Sequence, residues 1–312
     1  MSAGLGLQTA LSAREHEVEA GLTGTETGLG EDLWLEGEGV RLHAVAAGDG
    51  PIVLLLHGFP DCWYGWRQQL PALAAAGFRA VALDLRGYNL SDRPQTVDAY
   101  RMPRLVADVR AVLLALGDGG PAHVVGHDWG GAIAWHLAAR HPGLVDRLVV
   151  LNAPHPDRYA ELLREPGQAA RSWYIGAVQV PLVPEFVLGV AGRQVLLAVL
   201  AGMHRRHGAF TREDRARYQA AFRGPWGVRG PLAYYRATAR HPGEALRAGA
   251  RVKRPTLVLW GEEDPAMLTA NADLGAWVPD LRLERFPGAG HWVMADAAEA
   301  VNAAMVRFLR GG

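Results

Sequence analysis

Short apolar runs alternate along the chain with longer stretches in which apolar residues recur every three or four positions. The runs are Arg41–Ala46, Ile52–Leu56, Ala80–Leu83, Ala122–Val125, Leu148–Leu151 and Thr256–Trp260, rich in Val and Leu and bounded by Gly, Pro or Asp. Continuous apolar runs of this length predict strands buried on both faces. The stretches between them, among them Trp66–Ala76, Leu105–Leu116 and Gly131–Arg140, predict helices. Strand and helix in alternation indicate an α/β protein with a mostly parallel sheet. At the end of the chain, Ala297, Val301, Met305, Phe308 and Leu309 fall at helical spacing, so Asp296–Arg310 is expected to be a helix packed on that sheet.

Between about His155 and Ala250 the rhythm stops. This region is rich in Tyr, Trp, Arg and Pro and contains no run that reads as a buried strand. The strand pattern resumes at Pro255. The organisation expected is a tail over residues 1–28, a discontinuous core over 29–154 and 251–312, and a mainly helical insertion over 155–250. Such an insertion would sit over the carboxyl ends of the strands, where open α/β sheets bind ligands.

Composition narrows the classes. The chain has 312 residues, 49% hydrophobic and 21% charged, which suits a globular protein with a substantial core. Thirty-two basic residues balance 32 acidic ones, so neither a nucleic-acid nor a membrane-surface partner is expected. Cys62 is the only cysteine, which excludes an intrachain disulfide and a Cys-based zinc site. His204 and His207 share a helix-face spacing, but no further ligands lie near, and they are read as surface histidines. The first residues lack a basic segment followed by a continuous apolar stretch, so no signal peptide is expected. The longest apolar region, Tyr174 to Gly192, is broken by Pro181, Pro184 and Glu185. A cytoplasmic protein, monomeric or homodimeric, is the expectation.

The most informative stretch is Gly126-His127-Asp128-Trp129-Gly130-Gly131, which follows a predicted strand and opens a predicted helix. Small residues flanking a central side chain make the sharp strand-to-helix turn of a nucleophile elbow. Side chains at 126, 130 and 131 would collide with neighbouring backbone. The central residue is thrust out at a helix N-terminus, where the dipole favours negative charge. Here that residue is Asp128. Taken alone, Asp128 could equally be a helix N-cap. Two further segments weigh on the choice. Leu257–Asp264 reads as a strand ending in a loop acid, and Phe286–Trp292 is a Gly-rich loop carrying His291. Asp128, Asp264 and His291 follow the chain order nucleophile, acid, base of α/β-hydrolases. Val53–Pro60 is a strand running into a tight turn, so the Phe59 and Trp129 N–H groups are well placed for an oxyanion hole. His57 and His127 are read as buried, hydrogen-bonded structural histidines.

These motifs resemble those of the epoxide hydrolases of the α/β-hydrolase fold, and the likeness runs from about Leu33 to the C-terminus. His57-Gly58-Phe59-Pro60 is similar to that family's turn after the third strand. Gly126–Gly131 is similar to its Asp elbow, and Arg86–Asp92 to the loop after its fourth strand. Arg171–Pro181 resembles the segment carrying the first of two tyrosines of a helical cap, placing that role on Tyr174. Gly230–Arg236 resembles the segment carrying the second, placing it on Tyr235, with Tyr234 at a position often aromatic. The resemblance implies an α/β-hydrolase core with a helical cap, a small-molecule epoxide as substrate and no metal or organic cofactor. It also implies a cis Phe59–Pro60 bond.

The implied reaction has Asp128 attack an epoxide carbon to form an alkyl ester, with Tyr174 and Tyr235 supporting the ring oxygen. His291, oriented by Asp264, then activates water for ester hydrolysis. Trp129, Trp173, Phe59 and Tyr234 are expected to line the pocket. Haloalkane dehalogenases are close relatives that also use an Asp nucleophile, and Trp129 would suit their halide site. Some of them place the acid after the sixth strand, where this chain has Asn152, which cannot serve. A third possibility, a hydrolase fold used only for binding, is disfavoured by the intact set of Asp128, Asp264 and His291.

Overall fold

The computed structural model describes residues 21–117, 120–190, 193–206, 208–222 and 227–312. Eight strands form one sheet: β1 (Glu31–Glu36), β2 (Arg41–Ala47), β3 (Ile52–Leu56), β4 (Arg79–Leu83), β5 (Ala122–His127), β6 (Val145–Leu151), β7 (Thr256–Gly261) and β8 (Leu281–Phe286). Their order is β1-β2-β4-β3-β5-β6-β7-β8. Only β2 runs against its neighbours; β4, β3, β5, β6, β7 and β8 are parallel. All six expected strands form within a residue or a few of their expected ends. They are the inner strands, buried among helices such as Met102–Leu116, Trp129–Arg140 and Ala298–Leu309. Each fully buried Leu or Val here stabilises the fold by roughly 1.5–3 kcal/mol.

Two strands, β1 and β8, are absent from the sequence expectation. They are the two edges of the sheet. Their residues alternate between exposed and half-buried, with charges in Glu31-Asp32 and Arg282, Glu284, Arg285. An edge strand needs no continuous apolar run, so a search for such runs passes over it. The final helix also differs from expectation. A short turn, Val293–Asp296, precedes it, and Ala297 at φ −126° and ψ 39° separates the two.

Of the expected tail, residues 1–20 lie outside the described residues. The rest of it is not a tail: Leu22 is buried. Its N–H donates to Asn89 Oδ1 at 2.9 Å, and its carbonyl accepts from Trp63 Nε1 at 2.8 Å. Between β6 and β7, the described residues from Pro156 to Ala245 form helices and turns and no strand. Among the described residues no helix is long and apolar enough to cross a membrane.

The strand order decides where a cleft can open. From β3 the chain moves to β4 on one side, then returns to β5 on the other. The turns leaving β3 and β5 diverge at that switch point, which is where open α/β sheets hold ligands. Phe59 follows β3 and Asp128 follows β5, so the two meet there.

Candidate active site

Asp128 follows β5 with φ 49° and ψ −117°, a conformation an L-residue rarely adopts. The surroundings enforce it. A Cβ at Gly126 would lie 2.5 Å from the Gly130 carbonyl oxygen, and one at Gly130 would lie 2.1 Å from the Leu56 carbonyl oxygen. At Gly131 the obstacle is a side chain, the Ala153 methyl at 2.3 Å. The N-cap alternative fails, because the Asp128 side chain makes no capping bond to the following helix. Instead its Oδ1 accepts the Phe59 N–H at 2.7 Å. Phe59 and Pro60 are joined by a cis bond. Burial lifts the Asp128 carboxyl above its ordinary value, against the pull of His291 and of the Phe59 and Trp129 amides.

Three adjacent parallel strands, β6, β7 and β8, deliver the rest. His291, after β8, places Nδ1 2.7 Å from Asp264 Oδ2, after β7, and Nε2 3.8 Å from Asp128 Oδ2. Asp264 Oδ1 accepts the Ala266 and Met267 N–H groups at 2.8 and 3.1 Å. Asn152, after β6, donates to Asp264 Oδ2 at 2.9 Å and brackets Gly261 through its own amide. Burial disfavours the charged form of both partners, but their mutual attraction wins. Asp264 falls below its ordinary value, helped by the Asn152 and Ala266 donors. His291 rises above its own, helped by Asp128.

Two apolar cavities converge on Asp128, Tyr174 and Tyr235. The smaller, about 190 Å³, runs past Trp129, Tyr159, Ile175, Leu246 and Met267. The larger, about 510 Å³, is lined by Phe59, Trp173, Val199, Met203 and His291. The Tyr235 ring packs edge-on against Phe59 at 5.4 Å, Trp129 at 5.0 Å and Tyr174 at 5.8 Å. Burial pushes both phenols well above their ordinary pKa, and the negative Asp128 pushes the same way. Both therefore remain proton donors near neutrality. The site thus combines a carboxylate held through Oδ1 by the Phe59 amide, an acid-oriented imidazole and two neutral phenols around an apolar cavity.

The family of the α/β hydrolase fold matches residues 51–298. Human epoxide hydrolase 4 is 36% identical over 312 residues, covering 96% of this chain and 83% of its own. The AB hydrolase superfamily protein YfhM of Bacillus subtilis is 36% identical over 282 residues, covering 87% of this chain and 95% of its own. The chain belongs to the epoxide hydrolases of the α/β-hydrolase fold. Among solved structures, an epoxide hydrolase from Bacillus megaterium in complex with an inhibitor aligns at TM-score 0.80 and 31% identity, covering 89% of this chain and all of that one. Epoxide hydrolase VrEH1 from Vigna radiata aligns at TM-score 0.79 and 30% identity, covering 90% of this chain and 98% of that one.

Within this epoxide hydrolase fold, the residues singled out from sequence converge with one exception. Tyr234 does not line either cavity. It is fully buried, its hydroxyl donates to the Arg86 carbonyl at 2.8 Å, and its ring packs beneath Trp129 at 5.6 Å. It faces the loop after β4 because consecutive helical residues point about 100° apart, and Tyr235 takes the cavity side. Trp173 is 71% exposed and stands at the outer wall. His57 is buried, accepting the Leu85 N–H on Nε2 and donating from Nδ1 to the Gly58 carbonyl. His127 Nε2 bonds the His291 carbonyl at 3.0 Å. His204 is not a surface histidine: its ring stacks on Phe210, and Nδ1 lies 3.2 Å from Asp296 Oδ1. His207 lies outside the described residues.

Three site residues escaped the sequence reading. Tyr159 and Met267 line the smaller cavity from the insertion and from the loop after Asp264. Asp61 is buried between Tyr218, whose hydroxyl donates at 2.7 Å, and Trp292, whose indole N–H donates at 2.9 Å. Its signal was available: a carboxylate inside the otherwise apolar and aromatic run Phe59–Trp63 must find buried donors.

Proposed function

We propose that this chain hydrolyses an apolar epoxide to a vicinal diol through an ester on Asp128. Asp128 Oδ2 attacks one ring carbon, the carbon–oxygen bond opens, and the ring oxygen leaves as an alkoxide. An alkoxide is far more basic than a phenolate, so Tyr174 and Tyr235 hold and protonate it as it forms. In the second stage His291 takes a proton from water, and the hydroxide attacks the Asp128 carboxyl carbon. Oδ1, already on the Phe59 N–H, receives the developing negative charge, with the Trp129 N–H as second donor. Collapse breaks the carboxyl carbon–alkoxy oxygen bond: the protonated His291 gives its proton to the departing oxygen, the carboxyl proton restores the phenol, and the Asp128 carboxylate and the diol are released.

The observation that carries this reading is the division of labour within one carboxylate. Oδ1 is bound by the Phe59 amide, while Oδ2 faces the cavity and His291. Ester formation also removes the Asp128 charge that raises the His291 pKa. The imidazole therefore becomes easier to deprotonate at the stage where it must act as a base. Dehalogenation would leave both phenols without a task, since a halide departs as a stable anion and needs no proton. The relatives named epoxide hydrolase support the same choice.

The test is a single turnover of excess enzyme on styrene oxide in heavy-oxygen water. Label should enter the Asp128 carboxyl group and be absent from the first diol. Label in that diol, with none in Asp128, would mean direct attack of water on the ring and would sink the ester route.

A further inference from the structure

Asp296 is a buried carboxylate that the reaction scheme above does not use. It closes the short turn that follows His291 and Trp292. Its Oδ2 accepts the Gly290 N–H at 2.8 Å and the Arg205 N–H at 3.0 Å. Its Oδ1 faces the Arg206 N–H at 3.4 Å and His204 Nδ1 at 3.2 Å. Burial works against its charge, but these donors hold the carboxyl below its ordinary range. One anion thus gathers the backbone immediately before His291 and a segment of the insertion, 203–206.

That segment touches the site in other ways. Met203 lines the larger cavity. Its carbonyl oxygen lies so close to Gly290 that a Cβ there would be 2.5 Å away. Arg205 Nε donates to the carbonyl of Glu263, the residue before Asp264, at 3.2 Å. The His204 ring lies 5.5 Å from the Trp292 ring. The 203–206 segment is therefore pressed against the loops of both the base and its acid, and Asp296 is the link that holds it to the base loop.

We infer that Asp296 is a positioning residue for the ester-hydrolysis stage: it fixes the His291 loop against the cavity wall formed by the insertion. This rests on the ester route proposed above. His291 must sit at one distance from a water that lies over the Asp128 carboxyl carbon. Asp128 itself is held by β5, the glycine elbow and Phe59, none of which Asp296 contacts. Loosening Asp296 should therefore slow ester hydrolysis and spare ester formation. A misplacement of about 1 Å can cost on the order of 100-fold in rate.

The experiment follows the two stages separately in the full chain by rapid quench and intact mass. Two variants are used. Asp296→Asn keeps the shape but turns N–H donors toward N–H donors. Gly290→Ala leaves Asp296 intact and wedges a methyl against the Met203 carbonyl. In each, the rate constant for ester decay should fall about 10–100-fold, while ester formation stays within about twofold of wild type. A general loss of folded protein lowers the amount of ester formed but not the decay constant per ester. Equal falls in both constants, or an unchanged decay constant in both variants, would overturn the assignment. His291→Gln serves as the separate control for the route. If neither it nor the wild type forms an ester, the underlying reading is wrong and this assignment falls with it. Ester accumulation in His291→Gln with normal decay in both variants refutes the positioning role alone.

Discussion

The elbow at Asp128 and the wall that carries Tyr174 and Tyr235 face each other across one cavity but are held by different means. The elbow is made by residues adjacent in sequence, and backbone atoms lie within van der Waals contact of where its glycine side chains would be. Sterics leave it one shape: at Gly126 the obstacle is the elbow's own backbone, at Gly130 the end of β3 and at Gly131 Ala153 after β6. The wall is assembled from two helical segments far apart in the chain, Trp173–Ala177 and Arg229–Arg240, with the ring contacts of Tyr235 joining them. Nothing local to Tyr174 dictates that it should meet Tyr235. The nucleophile is thus placed by a turn closed tightly on itself and on the strands beside it, and the proton donors by ring packing between two helices, so the two should fail differently when perturbed.

The sharpest way to break this contrast is at the elbow. Gly130→Ala drives a methyl to 2.1 Å from the Leu56 carbonyl oxygen, where no rotamer offers relief. Overpacking of this kind destabilises by about 1–3 kcal/mol or more. Ester formation should fall by roughly 100-fold or more even in the fraction that folds, because Asp128 is displaced from the Phe59 amide. Thermal unfolding and single-turnover mass analysis measure the two effects. A folded Gly130→Ala protein with normal ester formation would refute the steric account.

The wall should yield by degrees. Tyr174→Phe and Tyr235→Phe keep the rings that pack, so the fold should tolerate both. If the hydroxyls share one developing oxyanion, each single variant should retain activity, and the double variant should form ester about 10²–10⁴-fold more slowly. Ester formation must be followed directly so that slow hydrolysis does not mask the loss. An unchanged rate in the double variant, with chloride or bromide released from haloalkanes by the wild type, would favour a dehalogenase.

The smallest effect concerns charge across the elbow. Asp128 and Asp264 both raise the His291 pKa, so removing one anion should lower it. In Asp128→Asn, His291 should titrate below wild type, as followed by NMR. The sign follows from the loss of a neighbouring negative charge that stabilises imidazolium. An unchanged titration would mean that ester formation does not ready the base.

Much of this protein was determined by the sequence alone. The six inner strands announce themselves because burial on both faces demands continuous apolar runs. The elbow is equally plain, since only residues as small as Gly126, Gly130 and Gly131 allow the turn, and the order of Asp128, Asp264 and His291 completes the site. The tertiary structure decided the rest. β1 and β8 exist because each has one neighbour to pair with, and their alternating charged residues carry no local sign of it. Tyr234 and Tyr235 are the same residue type one position apart, and only the packing of their helix sends the first under Trp129 and the second into the cavity. Asp61, Asn152 and Asp296 bond partners up to 231 residues away. A buried polar group must find a donor or acceptor, but the sequence does not say which one. That choice belongs to the topology that brings the carboxyl ends of β3, β5, β6, β7 and β8 side by side.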